Sequence, residues 1–111
     1  MSRILAIDPG NTESGYALID ADTRRPIEIG KVPNDEIVDI LIDLLAGNEA
    51  GDFEPAISRL AIEMVASYGM SVGKDVFETC VWIGRYQQTA DIYATNLPCD
   101  LVYRKDVKLH H

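Results

Sequence analysis

The chain has 111 residues, of which 47% are hydrophobic and 25% charged, with a formal net charge of −8. That length allows one domain with a modest core and excludes a bilobal enzyme. The acidic total excludes indiscriminate nucleic-acid binding, which draws on many Lys and Arg contacts to phosphate, but it leaves room for an acidic site whose metal ions neutralise phosphate.

The apolar run at 4–7 is too short for a signal-peptide core, and the run at 37–46 is interrupted by Asp39 and Asp43. No membrane segment is predicted and a cytoplasmic location follows as the expectation. Cys80 and Cys99 are too few and too far apart for a zinc motif and are expected to stay reduced.

In chain order, residues 3–8 read as a strand that ends on Asp8 and is closed by a Pro9-Gly10 turn. Pro9 has no N–H to extend a ladder, and Gly10 tolerates a sharp bend. Residues 15–20 and 27–32 read as a second and third strand, and the short connections predict an antiparallel meander. Pro33-Asn34 opens a helix with Asn34 or Asp35 as N-cap; Ile37, Ile40, Leu41, Leu44 and Leu45 form its apolar face and Gly47 its C-cap. A polar loop over 47–55 leads to a strand at 59–65 that carries Glu63, and a Gly/Ser-rich loop over 66–73 follows.

A long helix is predicted over 74–95. Val76, Cys80, Ile83, Ala90 and Ala94 form one stripe, widened by Phe77, Val81, Trp82, Tyr86 and Tyr93. So broad an apolar face predicts two contacts, the sheet on one side and a second copy of the chain on the other, through Phe77, Val81, Trp82 and Tyr86. Gly84 permits close helix approach at some cost in helix propensity. Pro98 ends the segment, and 100–104 reads as the last strand. Three strands, then helix, strand, helix and strand predict an α/β mixed sheet with flanking helices.

Asp8 and Glu63 are the carboxylates that interrupt otherwise apolar strands. A charge at the end of a buried strand is costly unless something cationic meets it. If the first and fourth strands lie side by side, the two carboxylates come within bridging reach of a divalent ion, Mg²⁺ or Mn²⁺. Paired ions of this kind activate water and stabilise the leaving oxygen in phosphodiester cleavage. The competing reading is two strand-end residues satisfied by turn amides or by a cation such as Arg59. The histidines are His110 and His111, so no upstream imidazole can activate a Ser or Cys nucleophile.

Ile-Asp8-Pro-Gly with Gly15-Tyr, the acidic strand Ala61-Ile-Glu63 and the terminal Tyr103-Arg-Lys-Asp-Val-Lys-Leu109 resembles the RuvC-type Holliday junction resolvases of the ribonuclease H-like superfamily. The likeness runs through most of the chain. It implies a ribonuclease H-like mixed sheet and a homodimeric, Mg²⁺-dependent endonuclease that nicks branched DNA such as four-way junctions. Asp8 and Glu63 match the family's first two catalytic carboxylates. The remaining acidic residues of the family lie on a helix after the basic motif, so residues 1–111 are expected to be a single nuclease domain lacking that helix.

The loop Ser67-Tyr68-Gly69-Met70-Ser71 matches the family's junction-touching region, where Tyr68 can stack on a base or stand as an exposed loop tyrosine. Arg104, Lys105 and Lys108 match the family's basic residues near the scissile phosphate, and a solvated charged end is their alternative. Three other functions compete. One is a related nuclease acting on RNA or simpler DNA. Another is the actin-like kinase and ATPase fold, which needs two lobes that 111 residues cannot build. The third is a non-catalytic dimeric DNA-binding module.

Overall fold

The computed structural model describes residues 2–46, 57–64 and 73–103. Its elements run β1 (Arg3–Asp8), β2 (Glu13–Asp20), β3 (Pro26–Pro33), α1 (Asn34–Leu45), β4 (Arg59–Met64), α2 (Lys74–Tyr93) and β5 (Cys99–Tyr103). This is the predicted order. The five strands form one sheet, β3-β2-β1-β4-β5. Short turns make β1–β2 and β2–β3 antiparallel, and the helical crossovers bring β4 and β5 in parallel to β1.

Strand alternation gives the sheet two unlike sides. Leu5, Ile7, Leu18, Leu60 and Ile62 point to one side, where Ile37, Leu41 and Leu45 of α1 and Ile83, Tyr86 and Ala90 of α2 close the core over them. The other side carries Ala6, Ala17, Ala61 and Val102, with Asp8 and Glu63 at its edge, and encloses a concavity of about 450 Å³. Among the described residues, both helices bury their apolar stripes on the first side.

The helices depart from prediction in two places. Pro33 occupies the N-cap position of α1 without a side-chain cap, and Asn34 is buried inside the first turn. Its amide side chain is drawn to the β1–β2 turn instead. In α2 the buried stripe is Thr79, Ile83, Tyr86 and Ala90, whereas Cys80 is exposed. Thr79 donates its hydroxyl to the Asp75 carbonyl at 2.8 Å, which satisfies its polar group and allows it to occupy a position that a hydrophobicity count assigns to Cys80.

Tyr86 is fully buried in the monomer core, so its predicted place on a dimer face is corrected. Its ring fills the space under the sheet while its hydroxyl finds a partner there. Trp82 is half-buried against the edge of the core, with the Arg85 guanidinium 4.6 Å above its ring. Phe77, Val81 and Ile92 stand well exposed on the outer side of α2. No helix among the described residues is long and apolar enough to cross a membrane.

Candidate functional site

Ile7 of β1 is level with Ile62 of β4 in the parallel ladder. Asp8 and Glu63 follow one residue further along their strands and so emerge together on the side away from the helices. Adjacent strands run about 4.8 Å apart, and both carboxylates line the same concavity. The predicted side-by-side placement is therefore present.

Burial is the point of correction. Asp8 is exposed and Glu63 only half-buried, because both belong to the side of the sheet that the helices leave open. The cost of burying a lone charge thus does not by itself require a cation. What the fold supplies is a pair of carboxylates held at one level on adjoining strands. Arg59 is directed elsewhere. It pairs with Asp100 at the opposite end of β4, about 13 Å from Glu63 at roughly 3.3 Å per residue.

Gly15 faces Asp8 across the β1–β2 ladder. A Cβ there would lie 3.7 Å from the Asp8 Cβ, so a methyl fits, but a branched side chain would crowd the carboxylate. The flank of Asp8 on the β2 side is open because this residue is glycine.

The turn after Asp8 is fastened from below. The Gly10 amide donates to Ser14 Oγ at 3.3 Å, and Asn34 Nδ2 donates to the Gly10 carbonyl at 3.0 Å. Ser14 Oγ donates to Asn34 Oδ1 at 2.6 Å, and the Tyr86 hydroxyl lies 2.8 Å from Ser14 Oγ. Since the single Ser14 proton is committed to Asn34, Tyr86 is the donor in that last bond. The backbone N–H of Asn34 donates to the Thr12 carbonyl at 3.0 Å, and Asn11 Nδ2 to Asp75 Oδ1 at 3.2 Å. A Cβ at Gly10 would fall on the Glu13 carbonyl oxygen, so the turn keeps this shape only with glycine there.

Ser14, Asn34 and Tyr86 were not among the residues expected at the site. The signal for Ser14 is its phase: it shares the inward face of its strand with Tyr16 and Leu18, where a hydroxyl must find a partner. Burial pushes the Tyr86 phenol above its ordinary value, and the Asp35 carboxylate raises it further.

Tyr68, Arg104, Lys105 and Lys108, along with Gly47 and His110–His111, lie outside the described residues. Among the described residues no group of three His, Cys, Asp or Glu side chains could hold a metal ion; Asp8 and Glu63 form a pair. Two carboxylates offer hard oxygen donors, the kind that Mg²⁺ and Mn²⁺ take, so the donor set fits a divalent cation in chemistry.

Among solved structures, the chain is similar to Thermus thermophilus RuvC in complex with a Holliday junction substrate, with a TM-score of 0.71 and 14% identity over 98% of this chain and 69% of that one. A second Thermus thermophilus RuvC structure gives a TM-score of 0.67 and 16% identity, covering 96% of this chain and 66% of that one. The chain therefore spans about two thirds of the length of these proteins. The fold is the ribonuclease H-like fold of RuvC. Porphyromonas gingivalis acetate kinase shares it more distantly, with a TM-score of 0.53 and 9% identity over 93% of this chain and 37% of the kinase. Neither a family model nor a curated protein sequence matches the chain.

Proposed function

We propose that this chain is the core of a metal-dependent endonuclease that cuts branched DNA, four-way junctions above all, by phosphodiester hydrolysis. The observation that carries this reading is the placement of Asp8 and Glu63 at one level on adjoining parallel strands within a RuvC-like fold. Asp8 and Glu63 would hold Mg²⁺ or Mn²⁺, and such ions supply water activation and charge stabilisation on the scissile phosphate. Gly15 leaves the Asp8 carboxylate accessible from the β2 side, and the small side chains of Ala6, Ala17 and Ala61 keep the concavity beside the pair open.

Tyr68 would stack on an unpaired base at the branch, and Arg104, Lys105 and Lys108 would meet backbone phosphates, which places the needed positive charge locally on an acidic protein. A homodimer would form through the outer side of α2, where Phe77, Val81 and Ile92 lie exposed around Gly84, at which an added Cβ would meet nothing within 4 Å. A two-fold pair of sites suits a two-fold junction.

The test is cleavage and gel-shift of the intact protein on four-way junction, linear duplex and RNA–DNA hybrid in Mg²⁺. The expected result is nicking of the junction well above duplex, with binding that weakens steeply as salt rises. Preference for the hybrid would move the assignment to a ribonuclease. Salt-sensitive junction binding with no cleavage under Mg²⁺ or Mn²⁺ would make the protein a DNA-binding module.

A further inference from the structure

The segment that follows Asp8 is not held by the sheet. Residues 9–12 leave the ladder, and a turn of that kind moves unless side chains fix it. Besides the Asn34 backbone N–H on the Thr12 carbonyl and Asn11 on Asp75, the fixing groups are three buried polar side chains from three different elements: Ser14 of β2, Asn34 of α1 and Tyr86 of α2, respectively 1%, 2% and 0% exposed.

Their hydrogen bonds form a directed chain. Tyr86 donates to Ser14, Ser14 to Asn34, and Asn34 to the Gly10 carbonyl, while the Gly10 amide returns to Ser14. Ser14 uses its one proton and both lone pairs, and the Asn34 carbonyl and amide ends are each assigned by their partner. Among the described residues no buried side-chain polar atom is left unsatisfied. A closed network of this sort tolerates few arrangements of its members.

We propose that Ser14, Asn34 and Tyr86 are positioning residues that fix the 9–12 turn and thereby set the Asp8 carboxylate relative to Glu63. The proposal rests on the reading of Asp8 and Glu63 as the catalytic pair. None of the three touches the concavity. They act through Gly10, which is two residues from Asp8, and an apolar core would need no hydroxyl or amide at these places. Tyr86 matters most because it links the turn to α2, so that a shift of this helix is felt at the active carboxylate.

Tyr86→Phe removes one oxygen and keeps the ring. Ser14→Ala cuts the network at its centre, and Ser14→Thr restores the hydroxyl. Ile83→Val, also buried in α2 but without a polar group, is the control for general destabilisation. Amide exchange at Gly10, Mn²⁺ affinity by water-proton relaxation, and kcat and KM on a four-way junction are measured for each, well below the unfolding temperature.

The expected result for Tyr86→Phe and Ser14→Ala is Gly10 exchange faster by about tenfold, kcat lower by about ten- to a hundredfold, and KM within about twofold. Ser14→Thr recovers most of the kcat, and Ile83→Val changes neither exchange nor kcat. Unchanged kcat and Mn²⁺ affinity in Tyr86→Phe and Ser14→Ala would overturn the proposal, as would an equal loss in Ile83→Val. Asp8→Asn is run alongside. If it retains Mn²⁺ binding and nicking, the reading of the catalytic pair itself fails; if it loses them while Tyr86→Phe does not, only the positioning role fails.

Discussion

The two sides of the sheet are built from the same strands, residue by residue in alternation, yet they are made of different material. Leu5, Ile7, Leu18, Leu60 and Ile62 on the helix side are 0–7% exposed and interlock with two helices. On the other side the neighbours Ala6, Ala17 and Ala61 leave a concavity that ends on Asp8 and Glu63. One side therefore carries most of the stability and the other holds the concavity and the two carboxylates. Large apolar side chains on both sides would have made a thicker core and no site.

The sharpest test of that division is Asp8→Asn. On the proposed mechanism it should cost several kcal/mol of transition-state stabilisation, on the order of a thousandfold in kcat. Its melting temperature should fall far less than that of a core truncation, since Asp8 is exposed. Nicking assays and thermal unfolding of one preparation decide it. A large drop in melting temperature would break the comparison.

Next in size is a pair of adjacent residues on β4. Leu60→Ala should destabilise the protein by about 2–5 kcal/mol, while Ala61→Ser, one residue on and facing the concavity, should cost under about 1 kcal/mol. Denaturant unfolding of both sharpens the comparison directly, because the two changes differ in the side of the sheet they touch.

Tyr86→Phe tests the polar part of the core. Losing a buried hydroxyl bond should cost about 1 kcal/mol at neutral pH. Because the folded-state pKa of Tyr86 lies above its ordinary value of 10.0, the fold favours the neutral phenol. That contribution is complete below the unfolded-state value and is lost as pH rises through the folded-state value. Stability of the parent chain should thus fall above pH 10 more steeply than that of Tyr86→Phe, as melting curves across that range will report.

The smallest expected effect on stability belongs to the outer side of α2. Val81→Glu should leave the melting temperature of the monomer within the range of surface changes while abolishing the proposed dimer, read by light scattering. A parent chain that stays monomeric at high micromolar concentration would remove the dimer altogether.

Much of this was legible in the sequence because strands and helices carry their periods openly. The Asp8-Pro9-Gly10 turn, the antiparallel meander and the order of elements along the chain followed from turn residues, alternation and short connections; the adjacency of the first and fourth strands entered only as a condition, which the parallel pairing of β1 with β4 meets. The face of α2 was harder to read. Apolar residues surround that helix on nearly all sides, so hydrophobicity alone could not say that Thr79 goes in and Cys80 stays out. Helical phase decided it, since Thr79 lies on the stripe of Ile83, Tyr86 and Ala90, and its bond to the Asp75 carbonyl satisfies the buried hydroxyl. Asn34 misled for a related reason: its side chain suits a cap, and only the arrival of Ser14 and Gly10 beneath it turns it inward. Asp8 was read as the end of a buried strand, and alternation was the clue that it faces the open side.

The parallel joining of β4 to β1 also bears on how the molecule comes together in time. The β1–β2–β3 meander is made of pairings close in sequence and can form early, whereas β1 and β4 are distant in sequence and must close a long loop before they pair. Asp8 is thus in place in the first hairpin, but Glu63 joins it only when the last-paired interior strand docks. Until then the β1 edge awaiting β4 is an unpaired ribbon of Ile4, Leu5, Ala6 and Ile7, the kind of edge that recruits other chains. In refolding experiments the yield of native protein should therefore fall with concentration before any step that forms the meander slows.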